Sequence, residues 1–173
     1  FSKTVKDQPD INKCRICGLF GGQNDTRVFV SGNPDQPNCD WQSGLYDPSY
    51  FPDTGYTRIG SDASAIMGYA RQYDTQIVLK EDGQDAKQYL RTFALDDNAK
   101  PAYSLRQGAE AAGAVSPHAI DVLNGTPYYL SPQGVMGIYG TYVTEYRTIS
   151  GVSQRINPKL CRENLSQAAA CVW

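Results

Sequence analysis

The sequence predicts an all-β fold, a partial β-propeller built from ~50-residue, four-stranded blades. Three observations predict it. Thr26-Arg27-Val28-Phe29-Val30, Thr75-Gln76-Ile77-Val78-Leu79 and Thr126-Pro127-Tyr128-Tyr129-Leu130 share one pattern, a Thr, a spacer and three apolar or aromatic residues, and their Thr residues lie 49 and 51 positions apart. Each is preceded by a second apolar stretch: Ile16-Cys17-Gly18-Leu19-Phe20, Ile66-Met67-Gly68-Tyr69-Ala70 and Ile120-Asp121-Val122-Leu123. A turn separates each pair, at 21–25, 71–74 and Asn124-Gly125. One hairpin cannot bury its own apolar face, so copies must stack to bury it together.

The elements follow in order. Residues 1–13 are polar and read as a linker or the end of an earlier blade. The first repeat covers about 14–61: a hairpin over 14–30, a dense turn signal over 31–38 and a third strand from Cys39 to Tyr46. A proline- and aromatic-rich loop then leads to a short outer strand, Tyr56 to Gly60. The second repeat, about 65–108, has a hairpin over 65–80 and a charged turn, Glu81-Asp82-Gly83-Gln84-Asp85. Lys87 to Leu95 has the alternation of a strand in Tyr89, Arg91, Phe93 and Leu95, and Tyr103 to Gln107 is the fourth strand. Ala109 to Ser116 is small and contains Gly113, which suits a crossover better than a helix. The third repeat, about 118–156, turns at Asn124-Gly125, a strong hairpin signal. It continues as strand from Val135 to Tyr146. Asn157-Pro158 breaks the chain, residues 159–169 hold one or two helical turns, and 160–173 starts a further repeat. Three blades do not close a ring of the usual ~4–8, so the expectation is a piece of a longer propeller.

Net charge is −2 with 20% charged residues, which gives no support to a nucleic-acid partner and its basic patch. No apolar run approaches the ~18 residues of a membrane span. The five cysteines, Cys14, Cys17, Cys39, Cys161 and Cys171, are odd in number and irregularly spaced, which fits reduced thiols better than a disulfide framework.

Few residues suggest chemistry. Cys14-Arg15-Ile16-Cys17 is a CxxC without the second ligand pair that a zinc site needs, and it runs into a strand rather than opening the helix of a redox motif. Buried strand cysteines are the plainer reading. His118, the single histidine, stands beside Pro117 with no nucleophile near it in sequence. The acidic runs 81–85 and 96–98 lack the alternate oxygen ligands of a calcium loop and read as solvated turns. Asn24, Asn124 and Asn164 open N-x-Ser/Thr sequons, the first two of which the hairpin turns explain. Catalytic, cofactor and metal residues are therefore none. The unusual segment is the loop from Trp41 to Tyr56, where Trp41, Tyr46, Tyr50, Phe51 and Tyr56 put five large aromatics in sixteen residues. It reads either as a lid over a blade edge or as a partner-binding surface, since Tyr and Trp anchor interfaces.

At several of these stretches the chain resembles a known group. Arg27 to Pro34, Asp40-Trp41-Gln42-Ser43-Gly44, Asp47 to Asp53, Ile66-Met67-Gly68-Tyr69, Gly113 to Pro117 and Tyr129 to Val135 are similar to the stabilisation (tail hub) proteins of tailed bacteriophages and prophages. The similarity spans most of residues 16–173. It implies a β-propeller virion component made in the bacterial cytoplasm. Such a protein lies in the tail below the portal, stabilises the DNA-filled head, and binds portal and other tail proteins as part of an oligomer. It implies no catalytic residue, no cofactor, no direct nucleic-acid site and no membrane. The alternative from the residues alone is a carbohydrate-binding or glycoside-active propeller, for which acids and aromatics must converge on one face.

Overall fold

The computed structural model describes residues 8–22, 24–85, 87–141 and 147–173. The described residues are all-β, with three four-stranded antiparallel sheets, each a meander in chain order. Sheet 1 holds β1 (Ile16–Phe20), β2 (Arg27–Ser31), β3 (Cys39–Gln42) and β4 (Tyr56–Arg58). Sheet 2 holds β5 (Ile66–Gln72), β6 (Thr75–Lys80), β7 (Lys87–Leu95) and β8 (Pro101–Glu110). Sheet 3 holds β9 (Ile120–Leu123), β10 (Thr126–Ser131), β11 (Gly134–Tyr139) and β12 (Thr148–Gly151).

The three repeated hairpins are present, with Phe20 opposite Arg27, Gln72 opposite Thr75 and Leu123 opposite Thr126. Asn124 and Gly125 both adopt the left-handed backbone of a two-residue hairpin turn. Several boundaries differ from expectation. β3 stops at Gln42, because Ser43 bonds back to β2 and the chain then turns. β8 is longer than expected and takes in Ala109 and Glu110. The strand expected over 135–146 ends at Tyr139; residues 142–146 lie outside the described residues, and β12 follows as a strand that the apolar pattern did not announce. Asn157-Pro158 starts the short helix α1 (Asn157–Leu160) rather than only breaking the chain, since proline suits a first helical turn. Residues 160–173, expected to begin a further repeat, hold the end of α1, a 3-10 turn at Leu165–Gln167 and an extended run without strand pairing.

The sheets pack side by side through their first strands, β1 against β5 and β5 against β9. Gly68 makes the second approach possible, since a Cβ there would sit 2.6 Å from the Ile120 side chain. Sheet 2 lies in the middle, and every residue of β6 is buried, both faces being covered. Towards sheet 3 it packs Ile77, Leu79 and Leu90 against Tyr129 and Ile138. Gln72 crosses the same gap and donates from Nε2 to the Ile138 carbonyl at 2.8 Å. Towards sheet 1, Tyr103 meets Phe20 and Phe29 with ring centroids 6.1 and 5.5 Å apart, and Phe93 packs beside Tyr103 at 5.7 Å.

A buried ion pair crosses that first gap. Arg91 of β7 donates from Nη2 to Asp40 Oδ2 of β3 at 2.6 Å and from Nη1 to Gln76 Oε1 at 2.7 Å. Its guanidinium lies 4.2 Å from the centroid of the Phe29 ring, and the Tyr69 hydroxyl donates to Asp40 at 3.3 Å. Burial pushes the Asp40 carboxyl above the ordinary carboxylate value, while the charge and hydrogen bond of Arg91 pull it back down. A second buried cation ties the 59–61 linker to β6: Lys80 Nζ donates to the carbonyls of Ile59 and Ser61, both at 2.8 Å. Burial lowers its pKa, and Asp85, 3.7 Å away, opposes that shift.

Removing one partner of a buried pair leaves an uncompensated charge. Arg91→Met should therefore cost about 3–5 kcal/mol in chemical denaturation, and the double variant Asp40→Leu/Arg91→Met should recover most of it. An unchanged midpoint for the single variant would show that the pair does not hold sheets 1 and 2 together.

Candidate interaction surface

The 43–56 loop is held at its base by main-chain bonds. Gln42 N donates to Gly55 O at 2.7 Å, Gly44 N to Tyr50 O at 2.7 Å, and Tyr46 N to Thr26 O at 2.8 Å. Asp47 forms the inner turn by accepting from Ser49 N at 3.0 Å and Ser49 Oγ at 2.6 Å, and these bonds hold its carboxyl below the usual carboxylate range. Gln8 adds a bond from Nε2 to the Phe51 carbonyl.

This frame divides the five aromatics. Trp41 and Phe51 are buried, packed with Ile11 and Cys39 in a core cluster on the outer face of sheet 1. They seal the N-terminal segment onto that face. Tyr46, Tyr50 and Tyr56 are 71%, 36% and 49% exposed. Tyr46 has φ 54°, the left-handed backbone that glycine or asparagine adopts more cheaply. Burial of the ring does not offset this strain, which the turn residues Tyr73, Ala99 and Asn124 share. Beside Tyr46 lies a groove of about 190 Å³, walled by Leu19, Val28 and Pro48 with Asp25, Arg27 and Asp47 at its rim.

The other sequence candidates have structural neighbours. Cys14 packs against the cluster holding Cys39, and its thiol donates to the Asp10 carbonyl, whereas Cys17 is exposed, so the CxxC cysteines face different surroundings. Burial pushes Cys14 to about 12 and Cys39 to about 11. His118 is exposed, and its main chain takes part in bonds to Ser116 Oγ and Ala170 N. The acidic turn 81–85, expected to be solvated, is partly structural: Asp85 is buried and accepts from Ser61 N, and Asp82 accepts from Gly113 N. Among the described residues no three His, Cys, Asp or Glu side chains group to hold a metal ion, and no helix is long and apolar enough to cross a membrane.

No protein-family model matches the chain, and neither does any curated protein. The Asp40–Arg91 pair was the main feature missed in the sequence. Its signal was Arg91 standing between Tyr89 and Phe93 in the same alternation, on a face that must be buried.

Thiol alkylation checks the cysteine assignments. At mildly alkaline pH the native protein should label at Cys17, Cys161 and Cys171, the three exposed thiols, and all five should label in denaturant. Rapid native labelling at Cys14 would contradict its burial.

Proposed function

We propose that this chain is a structural component of a bacteriophage tail, a run of propeller blades that works through protein contacts rather than chemistry. The observation that carries the reading is the division of the aromatic loop. Two rings serve the core, and three tyrosines stand in solvent on a pinned frame, one of them on strained backbone. Exposed rings on a preorganised loop favour binding, since little side-chain freedom is lost when a partner covers them. The three stacked antiparallel meanders and the touching first strands support the blade reading. The resemblance to stabilisation proteins supplies the setting: portal and neighbouring tail proteins as partners, in a virion oligomer.

The test separates folding from assembly. Tyr46→Ala, Tyr50→Ala and Tyr56→Ala combined should leave stability within about 0.5 kcal/mol per site, yet abolish incorporation into tails when introduced into the phage genome. Trp41→Ala should instead cost about 3–5 kcal/mol of stability. A triple variant that folds and assembles normally would remove the loop as the contact surface.

A further inference from the structure

A glycine interrupts β11 at Gly137, directly opposite Tyr128 of β10. Tyr129, Met136 and Ile138 pack towards sheet 2, so Tyr128, Gly137 and Tyr139 share the other face of sheet 3. Gly137 has no side chain to keep its neighbours apart. Tyr128, across from it, and Tyr139, two positions along β11, both lean over it, as diagonal cross-strand neighbours with long side chains can. A Cβ on Gly137 would meet Tyr128 Cε1, Tyr139 Cε2 and the Tyr139 hydroxyl, each at 2.9 Å. The two Cε carbons therefore lie within twice that distance of each other. The two hydroxyls are hydrogen-bonded, and this bond raises the Tyr139 pKa, which marks Tyr139 as the donor and Tyr128 as the acceptor.

The identity of the atoms that meet is what gives this pair a chemistry. A tyrosyl radical carries much of its spin on the ring carbons ortho to its oxygen, the Cε positions. Two such carbons join to give dityrosine, whose hydroxyls end up side by side, as these two already are. The fold thus supplies the proximity that coupling needs. It supplies access as well, since Tyr139 is 38% exposed and Tyr128 half-buried. Tyr69 and Tyr89, by contrast, pack together beside Ile59, but their hydroxyls bond to separate carboxylates, Asp40 and Asp85.

We propose that Tyr128 and Tyr139 form an oxidative cross-linking site, joined as dityrosine between β10 and β11 by a haem peroxidase acting with hydrogen peroxide. Each phenol gives up one electron and its hydroxyl proton. The two radicals form one Cε–Cε bond, and the hydrogens on those carbons move to the oxygens as the rings regain aromaticity. The protein loses two hydrogens in all, and one peroxide is reduced to two waters. The site stands on the geometry of sheet 3 and is independent of the tail-protein reading.

Dilute native protein treated with a haem peroxidase and limiting hydrogen peroxide should give a fluorescent monomer lighter by two hydrogens. Cyanogen bromide cleavage at Met136, which separates Tyr128 from Tyr139 in sequence, should leave the two fragments joined. Tyr128→Phe and Tyr139→Phe keep the rings and remove the hydroxyls, and each should abolish the joined fragments with circular dichroism unchanged. Tyr46→Phe should leave them. The same treatment in denaturant should give far less of the product, because the pairing belongs to the fold. Oxidation that leaves no link within the monomer would overturn the proposal. So would a link that survives either phenylalanine at 128 or 139, one lost in Tyr46→Phe, or one formed equally well in denaturant.

Discussion

A guanidinium buried between two β-sheets sets the terms for the rest of this molecule. Arg91 cannot shed its charge, so its environment must supply acceptors, and it does so from both sides of the gap. Asp40 comes from sheet 1, Gln76 from its own sheet, and the Phe29 ring covers its face. These contacts are directional, whereas the surrounding aromatic packing is not. A small slip of one sheet against the other would leave the Phe20, Phe29 and Tyr103 rings in contact but would strand the charge. The pair therefore fixes which residues face each other across the gap. The second gap is fixed more softly, by Gln72 on the Ile138 carbonyl and by the close approach at Gly68.

Much of this architecture was legible in the sequence. The recurrent Thr-x-apolar segment marks β2, β6 and β10, each the second strand of its sheet, because that strand must be apolar on both faces. The turn at Asn124-Gly125 could be read directly, since left-handed backbone there needs those residue types. β12 was not legible: Thr148, Ile149, Ser150 and Gly151 form an outer edge strand with a single apolar residue, and its pairing with β11 comes from the sheet rather than from its own pattern. Over 159–173 the expected helical turns are present, as the end of α1 and the 3-10 turn at Leu165–Gln167, and only the strand expected after them differs. The small and apolar residues there look like the start of a strand, but Ala168 and Ala170 bond to 116 and 118 as a single extended run.

The candidate surface was half legible. An excess of aromatics in the 41–56 stretch is visible in the sequence, but composition does not say which rings turn inward. Strand alternation settles Trp41, which shares a face with Cys39 and Val30. Phe51 is settled only by the fold of the loop, which carries it back onto that same face. Tyr46, Tyr50 and Tyr56 remain outside the core cluster, at the surface. The same logic separates Tyr129 from Tyr128, adjacent in sequence and opposite in role.

Stacking between sheets, rather than hairpin formation within them, makes the fold. Native-state hydrogen exchange measures this most directly. If stacking dominates, the amides of β2, β6 and β10 should open together, in one transition whose free energy equals that of global unfolding, and Arg91→Met should lower all three by the same amount. Three separate opening free energies, with Arg91→Met affecting sheets 1 and 2 alone, would show instead that the sheets are independent units and would contradict it.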